Sequence, residues 1–178
     1  METSVTAIIE KLDSDELERQ LSGLDDARAL ISQFARRSVE LLLSSSSPYV
    51  IAEKLFAMGP SVIGDLEKQL DGDDAQPEAR TYAALVLLKL GSRKGVSQLF
   101  RSLKDGVGPI GMIAESLGLA QVPGAGEAIS DALKDGALSK EPYTVVTLVC
   151  ALRRLGATVP DEVLRQLDES APQLRKLV

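Results

Sequence analysis

Apolar residues recur in pairs four positions apart, and each pair closes an amphipathic stretch. The pairs are Leu66 and Leu70, Leu99 and Leu103, Ile129 and Leu133, and Val163 and Leu167. A spacing of four residues places both side chains on one face of a helix. The pattern predicts four helices that each bury one face, at intervals of 30 to 34 residues.

A second apolar stretch precedes each of these helices and stops at a glycine, a residue that accepts the left-handed conformation of a helix C-terminus. The predicted break glycines are Gly59, Gly91, Gly118 and Gly156. Prolines mark helix starts: Pro48, Pro77, Pro109 and Pro142 for the first helices, and Pro60, Pro123 and Pro160 for the second. Each unit is therefore predicted to be a helical hairpin, and stacked neighbours would bury the faces that one hairpin leaves open.

These units predict an all-α protein, an α-solenoid of about four HEAT-like helical hairpins over residues 48–178. Residues 1–47 are predicted to form an N-terminal helical cap of two amphipathic helices split at Ser22-Gly23, as one continuous domain with the repeats. A polar terminal pair is what the open end of a solenoid requires. The segment 44–49 reads as a hinge or cap, and residues 170–178 as a final turn or a frayed tail.

One unit, DDAQPEARTYAALVLLKLGSRKGVSQLFRSLKDG, resembles the short HEAT repeats of phycobilisome-lyase-like proteins. The residues that carry the resemblance are Asp74, Pro77, Arg80, Ala83, Ala84, Leu90, Gly91, Leu99, Leu103 and Asp105. The resemblance extends over roughly residues 48–169. It implies the solenoid fold and a concave face lined by the second helices, and it leaves function open.

The acidic charge balance narrows the function classes. The net charge is −6 and the sequence pI about 4.8, which disfavours nucleic acid and suits a basic protein partner. The absence of histidine removes the commonest general base and most zinc sites. We therefore expect no enzyme activity, cofactor or metal. Without a signal peptide or a membrane-spanning stretch, a cytoplasmic location is expected.

Several local motifs favour structural roles. GVGPIG at 106–111 lacks the strand that a dinucleotide site needs, which favours a turn between repeats. DGDDAQPE at 71–78 lacks the acidic positions of a calcium loop. Cys150 is expected to be a small core side chain. Tyr49, Tyr82 and Tyr143 recur near helix starts, where packing between units is favoured over an exposed aromatic row.

The polar positions on the second helices are the candidate binding residues. We predict a partner-binding surface at Glu67, Lys68, Gln98, Arg101, Lys104, Glu127, Asp131, Lys134 and Arg165. Mixed charge of this kind is equally typical of a solvated helix face. The sequence favours a non-catalytic protein–protein interaction module, either an inhibitor of the immunity type or an assembly adaptor, as a monomer or in a heteromeric complex. The resemblance offers a bilin-chromophore lyase-like protein as the alternative, and a nucleic-acid-binding repeat protein is less favoured.

Overall fold

The computed structural model describes residues 4–71, 76–134 and 141–178, and all regular structure in these ranges is helical. The α-helices are α1 (Val5–Leu12), α2 (Leu17–Ser44), α3 (Pro48–Ala57), α4 (Ile63–Leu70), α5 (Pro77–Lys89), α6 (Val96–Asp105), α7 (Ile110–Leu119), α8 (Ala125–Lys134), α9 (Pro142–Arg154) and α10 (Asp161–Ser170). Short 3-10 helices span Gly59–Val62 and Pro172–Leu177. The all-α prediction is confirmed. Residues 72–75 of the acidic loop motif at 71–78 lie outside the described residues.

Helices α5 to α10 form three consecutive hairpins, and α3 and α4 form a preceding pair in which both helices pack on the 3-10 helix between them. The first helices of the hairpins pack on one another in chain order, α3 on α5, α5 on α7 and α7 on α9, and the second helix α6 packs on α8. At the N-terminal end, α1 packs on α2, and α2 packs on α3, α4 and α5. One apolar core runs from Ala35 on α2 through the later helices to Leu174 near the C-terminus, and α1 packs on α2 outside this core.

Most helix starts and ends lie at the prolines and glycines that the sequence predicts. Helices α3, α5 and α9 begin at a proline, and Pro109 immediately precedes α7. Three of the predicted break glycines take the left-handed conformation beyond a helix end, with φ of 68° at Gly59, 90° at Gly91 and 67° at Gly156. The GVGPIG motif is the turn between α6 and α7, as predicted, with positive φ at both of its first two glycines.

The prediction of a break at Gly118 was wrong. Gly118 lies buried inside α7, and the left-handed position after this helix belongs to Gln121, with φ of 48°. The absence of a side chain at Gly118 serves packing instead, because a Cβ there would lie 3.4 Å from the Cα of Ala151 on α9. This glycine lets α7 and α9 approach closely.

The predicted split at Ser22-Gly23 was also wrong. The chain turns at residues 13–16, and α2 continues through Gly23 as a single helix of 28 residues. Gly23 is buried against α1, where an added Cβ would lie 2.9 Å from the Cβ of Lys11. Lys11 also forms an ion pair with Asp26, which ties α1 to α2.

The two remaining segments are short and ordered. Ser45 to Ser47 connect α2 to α3, and the Ser45 hydroxyl accepts a hydrogen bond of 2.9 Å from the Ser47 amide. The C-terminal residues form a 3-10 helix whose Leu174 is buried, so they are a final turn and not a frayed tail. Within the described ranges, none of the helices combines the length and the apolar character that crossing a membrane requires.

Candidate functional site

A groove of about 500 Å³ lies between the second helices α6 and α8. Its lining residues are Phe100, Lys104, Gly124, Glu127, Ala128, Asp131 and Ala132. Its volume falls within the range of about 300 to 1,000 Å³ that is typical of ligand sites. The groove therefore has room for one or two large side chains of a partner.

Small residues on α8 create this space opposite an aromatic side chain on α6. Leu99 and Leu103 form the buried stripe of α6 and pack in the core. The ring of Phe100, next to this stripe, is half-buried and lies at the surface beside α8. Ala128 and Ala132 face the groove, and a Cβ at Gly124 would lie 4.0 Å from the Phe100 ring. An apolar floor results, because none of these α8 positions carries a side chain long enough to cover the ring.

Charged side chains stand at the rim of the groove. Lys104 comes from α6, and Glu127 and Asp131 come from α8, one helical turn apart. Asp131 accepts a hydrogen bond of 2.8 Å from the ammonium group of Lys134, and both side chains are well exposed. The rim can therefore receive a cationic group between its carboxylates, and Lys104 can receive an anionic one.

The structure brings together only part of the predicted binding surface. Lys104, Glu127 and Asp131 share the groove, with Lys134 beside it. Gln98 and Arg101 line a separate cavity of about 160 Å³ that α5 and α6 border. Arg165 is held by Glu162 at 2.6 Å on α10, at the other end of the repeats.

Two predicted residues on α4 have other surroundings. The carboxylate of Glu67 accepts a hydrogen bond of 2.6 Å from the Ser92 hydroxyl, in the turn of the next hairpin. In the same turn Lys94 reaches Asp71 at 2.8 Å, a contact that raises the pKa of Lys94. Lys68 is exposed. These contacts connect the first hairpin to the second, so Glu67 has a structural partner within the chain.

A buried hydroxyl pair lies behind the cavity that Gln98 and Arg101 line. The hydroxyls of Thr81 on α5 and Ser102 on α6 are 2.7 Å apart, and Thr81 also donates to the Pro77 carbonyl at 2.9 Å. The Gln98 amide donates to Ser102 at 3.3 Å. Each hydroxyl is thus satisfied, and the pair holds the two helices of one hairpin together.

The aromatic residues divide between packing and exposure. Tyr82 is buried and meets Tyr49 in an edge-to-face contact with ring centroids 6.1 Å apart. Burial, followed by the nearby Glu78 and Tyr49, raises the pKa of Tyr82. Tyr143 is exposed. Packing between units therefore holds for Tyr82, whereas Tyr49 is 49 % exposed despite its contact with the Tyr82 ring, and Tyr143 is more exposed still.

Cys150 and the acidic side chains outside the groove are considered for reactivity and for metal binding. Cys150 is half-buried against the core, and its thiol donates to the Leu177 carbonyl at 3.4 Å. Among the residues that the structure describes, no group of three or more Cys, Asp or Glu side chains is arranged to hold a metal ion.

Sequence reasoning found the charged rim of the groove and missed its floor. Phe100, Ala128 and Ala132 were passed over because only polar positions of the second helices were considered. A signal was present: an aromatic residue next to the buried stripe of one helix, and two alanines four apart on the next second helix. Comparison with protein-family models, with curated proteins and with solved structures finds no match to this chain.

Proposed function

We propose that this chain is a non-catalytic interaction module, an α-solenoid of HEAT-like hairpins that binds a protein partner in the groove between α6 and α8. The observation that carries the proposal is the groove itself, with an apolar floor at Phe100 and Ala128 and charges at its rim. Partner proteins are commonly anchored by one or two apolar side chains in such a depression, with polar contacts around them. The consecutive packing of α3, α5, α7 and α9 supports the solenoid arrangement.

The rim charges favour a partner segment that combines an apolar anchor with a basic residue. Two carboxylates, Glu127 and Asp131, stand against Lys104, and the whole chain carries a net charge of −6. A basic segment would be attracted over a distance and would bind faster at low salt. Both an inhibitor of a basic protein and an adaptor in a larger assembly fit this description.

The same charges argue against the bilin alternative. Lys104 could pair with one propionate group of a bilin, but Glu127 and Asp131 at the same rim would repel the second. The mixed signs at the rim likewise lack the basic excess that phosphate backbones require. The groove chemistry thus favours a protein ligand over a pigment or a nucleic acid.

The test is capture of the partner through the groove. A tagged chain with a photo-crosslinking amino acid at Ala128 is irradiated in cells of its source, and the adducts are identified by mass spectrometry. A chain labelled at the exposed Glu115 on α7 is the matched control. We expect one protein to be cross-linked from Ala128 and not from Glu115.

Two variants then ask whether the captured protein uses the groove. Ala128→Arg places a long charged side chain over the apolar floor, and Glu127→Lys reverses a charge of the rim. We expect the purified partner to bind either variant at least tenfold more weakly than the parent chain, and the parent complex to weaken as salt rises. Unchanged binding by both variants, or a pigment that co-purifies and shifts its absorption in the groove, would overturn the proposal.

A further inference from the structure

The N-terminal helices expose a large apolar surface that no other part of the chain covers among residues 4–71, 76–134 and 141–178. Eight large apolar side chains on α1 and α2 are each between 51 and 68 % exposed. They are Val5, Ile9, Leu17, Leu21, Leu24, Ile31, Phe34 and Leu41. Contiguous apolar patches of more than a few hundred Å² are uncommon on monomers and mark interaction sites. This surface is far from polar, in contrast to the polar terminal pair expected from the sequence.

On α2 these residues follow the seven-residue repeat of a coiled coil. Leu17, Leu24 and Ile31 are spaced by seven, and Ala27, Phe34 and Leu41 follow the same repeat three positions later. We call these six residues the α2 seam. The spacings along the seam are seven, three, four, three and seven, with the polar Gln20 and Ser38 at the two remaining positions of the repeat. Spacings of three and four are typical of a helix that packs along another helix.

The seam is left uncovered where α2 extends beyond the repeats. Ala35, Val39 and Leu42 are fully or almost fully buried against the core, whereas five of the six seam residues are more than half exposed. Leu17 and Leu24 precede Ala35 and Leu42 by about five helical turns and so share their side of α2. Helix α1 approaches α2 at Gly23, which is not a seam position. The seam therefore continues the apolar core face of α2 past the part that the repeats cover, and drifts to one side of that face at Phe34 and Leu41.

The seam is also symmetric about its centre. Leu17 and Leu41 lie equally far from Ala29 along the chain, and so do the pairs Leu24 with Phe34 and Ala27 with Ile31. In an antiparallel pair of identical helices with the two-fold axis at Ala29, every apolar seam residue meets an apolar seam residue. A two-fold interface needs such a self-complementary surface. We propose that two copies of this chain associate through antiparallel packing of their α2 seams.

The dimensions of α2 suit a dimer. Its 28 residues make a helix about 42 Å long. A standard interface buries about 800 Å² on each partner, and an exposed apolar seam that extends along a helix of this length provides surface on that scale. The dimer leaves the groove between α6 and α8 free, since none of its lining residues lies on α1 or α2.

The charges of α2 favour a second copy over a lipid surface. The helix carries four acidic and four basic side chains: Glu18, Asp25, Asp26 and Glu40, and Arg19, Arg28, Arg36 and Arg37. Helices that lie on anionic membranes carry an excess of Lys and Arg on their polar face. A neutral α2 on a chain of net charge −6 has no such attraction, while it adds no net repulsion between two copies at the seam.

The first test is the mass in solution. Sedimentation equilibrium of the purified chain at micromolar concentration is expected to give twice its 19.0 kDa. The double variant Leu24→Glu/Phe34→Glu sets carboxylates opposite each other and should give the monomer mass, with an unchanged helical circular dichroism spectrum because both side chains are exposed. Leu119→Glu, at an exposed leucine on α7, is the matched control and should stay dimeric.

The second test reads the direction of the helices. In a Cys150→Ser background, a mixture of Leu24→Cys and Phe34→Cys chains should form a cross-chain disulfide under mild oxidation, and each alone much less. Preferential cross-linking of each with itself would indicate parallel helices and overturn the proposal. A parent chain that stays monomeric at all concentrations, or that instead sediments with anionic vesicles, would overturn it as well.

Discussion

Gln121 bridges two hairpins from a backbone conformation that normally belongs to glycine. Its side-chain amide donates one hydrogen bond of 3.0 Å to the carbonyl of Gly118 on α7, the helix that precedes it, and another of 3.0 Å to the carbonyl of Arg154 at the end of α9. One side chain thereby joins two helix ends in neighbouring repeats. Its hydrogen bonds offset the conformational free energy that a φ of 48° costs a residue other than glycine.

The two substitutions at Gln121 should separate strain from bonding. Gln121→Ala keeps the left-handed strain and loses both hydrogen bonds, and we expect it to lower the free energy of unfolding by about 1 kcal/mol. Gln121→Gly loses the same bonds but relieves a strain of about 1 kcal/mol. Urea unfolding should therefore rank the glycine variant above the alanine variant, and the reverse order would contradict the strain at this position. A Gln121→Ala variant as stable as the parent chain would contradict the bridging role.

Gly95 should tolerate no side chain, although its backbone is not strained. A Cβ there would lie 2.7 Å from the Cα of Ala84 on α5, so Gly95→Ala must separate α6 from α5. We expect a loss of about 1 to 3 kcal/mol in the free energy of unfolding. Gly64→Ala is the matched control: its Cβ meets nothing within 4 Å, and alanine in a helix should add about 0.5 to 1 kcal/mol. Equal effects of the two variants would disprove the close approach.

The buried hydroxyl pair gives a coupling that can be measured. Ser102→Ala removes one partner from the Thr81 hydroxyl and from the Gln98 amide, and should cost about 1 to 2 kcal/mol. A double-mutant cycle with Thr81→Val should show that the two changes are not additive, because both remove the same bond. Ser32→Ala, at an exposed hydroxyl on α2, should change stability by less than about 0.5 kcal/mol. Additive effects at Thr81 and Ser102 would show that the bond contributes nothing.

The helical repeat could be predicted because its signals are local. The second-helix pairs from Leu66 to Leu167 are buried or, at Leu70, half-buried, and prolines mark the helix starts as expected. The two errors concern glycines. Gly118 and Gly23 are needed for close contact with Ala151 and with Lys11, residues distant in sequence. The sequence alone does not show whether a glycine is needed for a positive φ or for close packing against another helix. Helix ends at these two positions therefore could not be predicted from the local pattern.

The candidate groove was predictable only at its rim. Lys104, Glu127 and Asp131 stand at polar positions of the second helices, which the spacing of the apolar pairs identifies from sequence alone. The space beside Phe100 depends on the distance between α6 and α8, which no local pattern gives. The seven-residue repeat around Leu24 and Phe34 was present in the sequence too, but burial was needed to show that this face of α2 has no partner within the described chain.

Tyr82 should make the fold sensitive to alkaline pH. Burial raises the pKa of its phenol, so the native protein keeps this proton at a pH where the unfolded chain has lost it. The contribution of Tyr82 to the free energy of unfolding is fully present below the ordinary tyrosine pKa of about 10. This contribution is lost as the pH rises through the raised pKa of the native protein. Urea unfolding at pH 8 and pH 11 should show a smaller decline for Tyr82→Phe than for the parent. The exposed Tyr143→Phe should decline like the parent, and identical slopes for all three would contradict the assignment.

The unfilled space of the groove should lower the stability of the fold while it makes room for a partner. Ala128 faces open space beside Phe100, so Ala128→Leu can lay its side chain on the ring without displacing the core. Burying part of the added side chain should raise the free energy of unfolding by about 1 kcal/mol, while the filled groove loses its partner. Glu115→Leu, at an exposed position on α7, adds a leucine with no groove to fill and should bring no such gain. A destabilised Ala128→Leu variant would mean that the space beside Phe100 is not open in solution. A stabilised variant that still binds its partner would place the binding site elsewhere, because filling an essential groove cannot leave affinity intact.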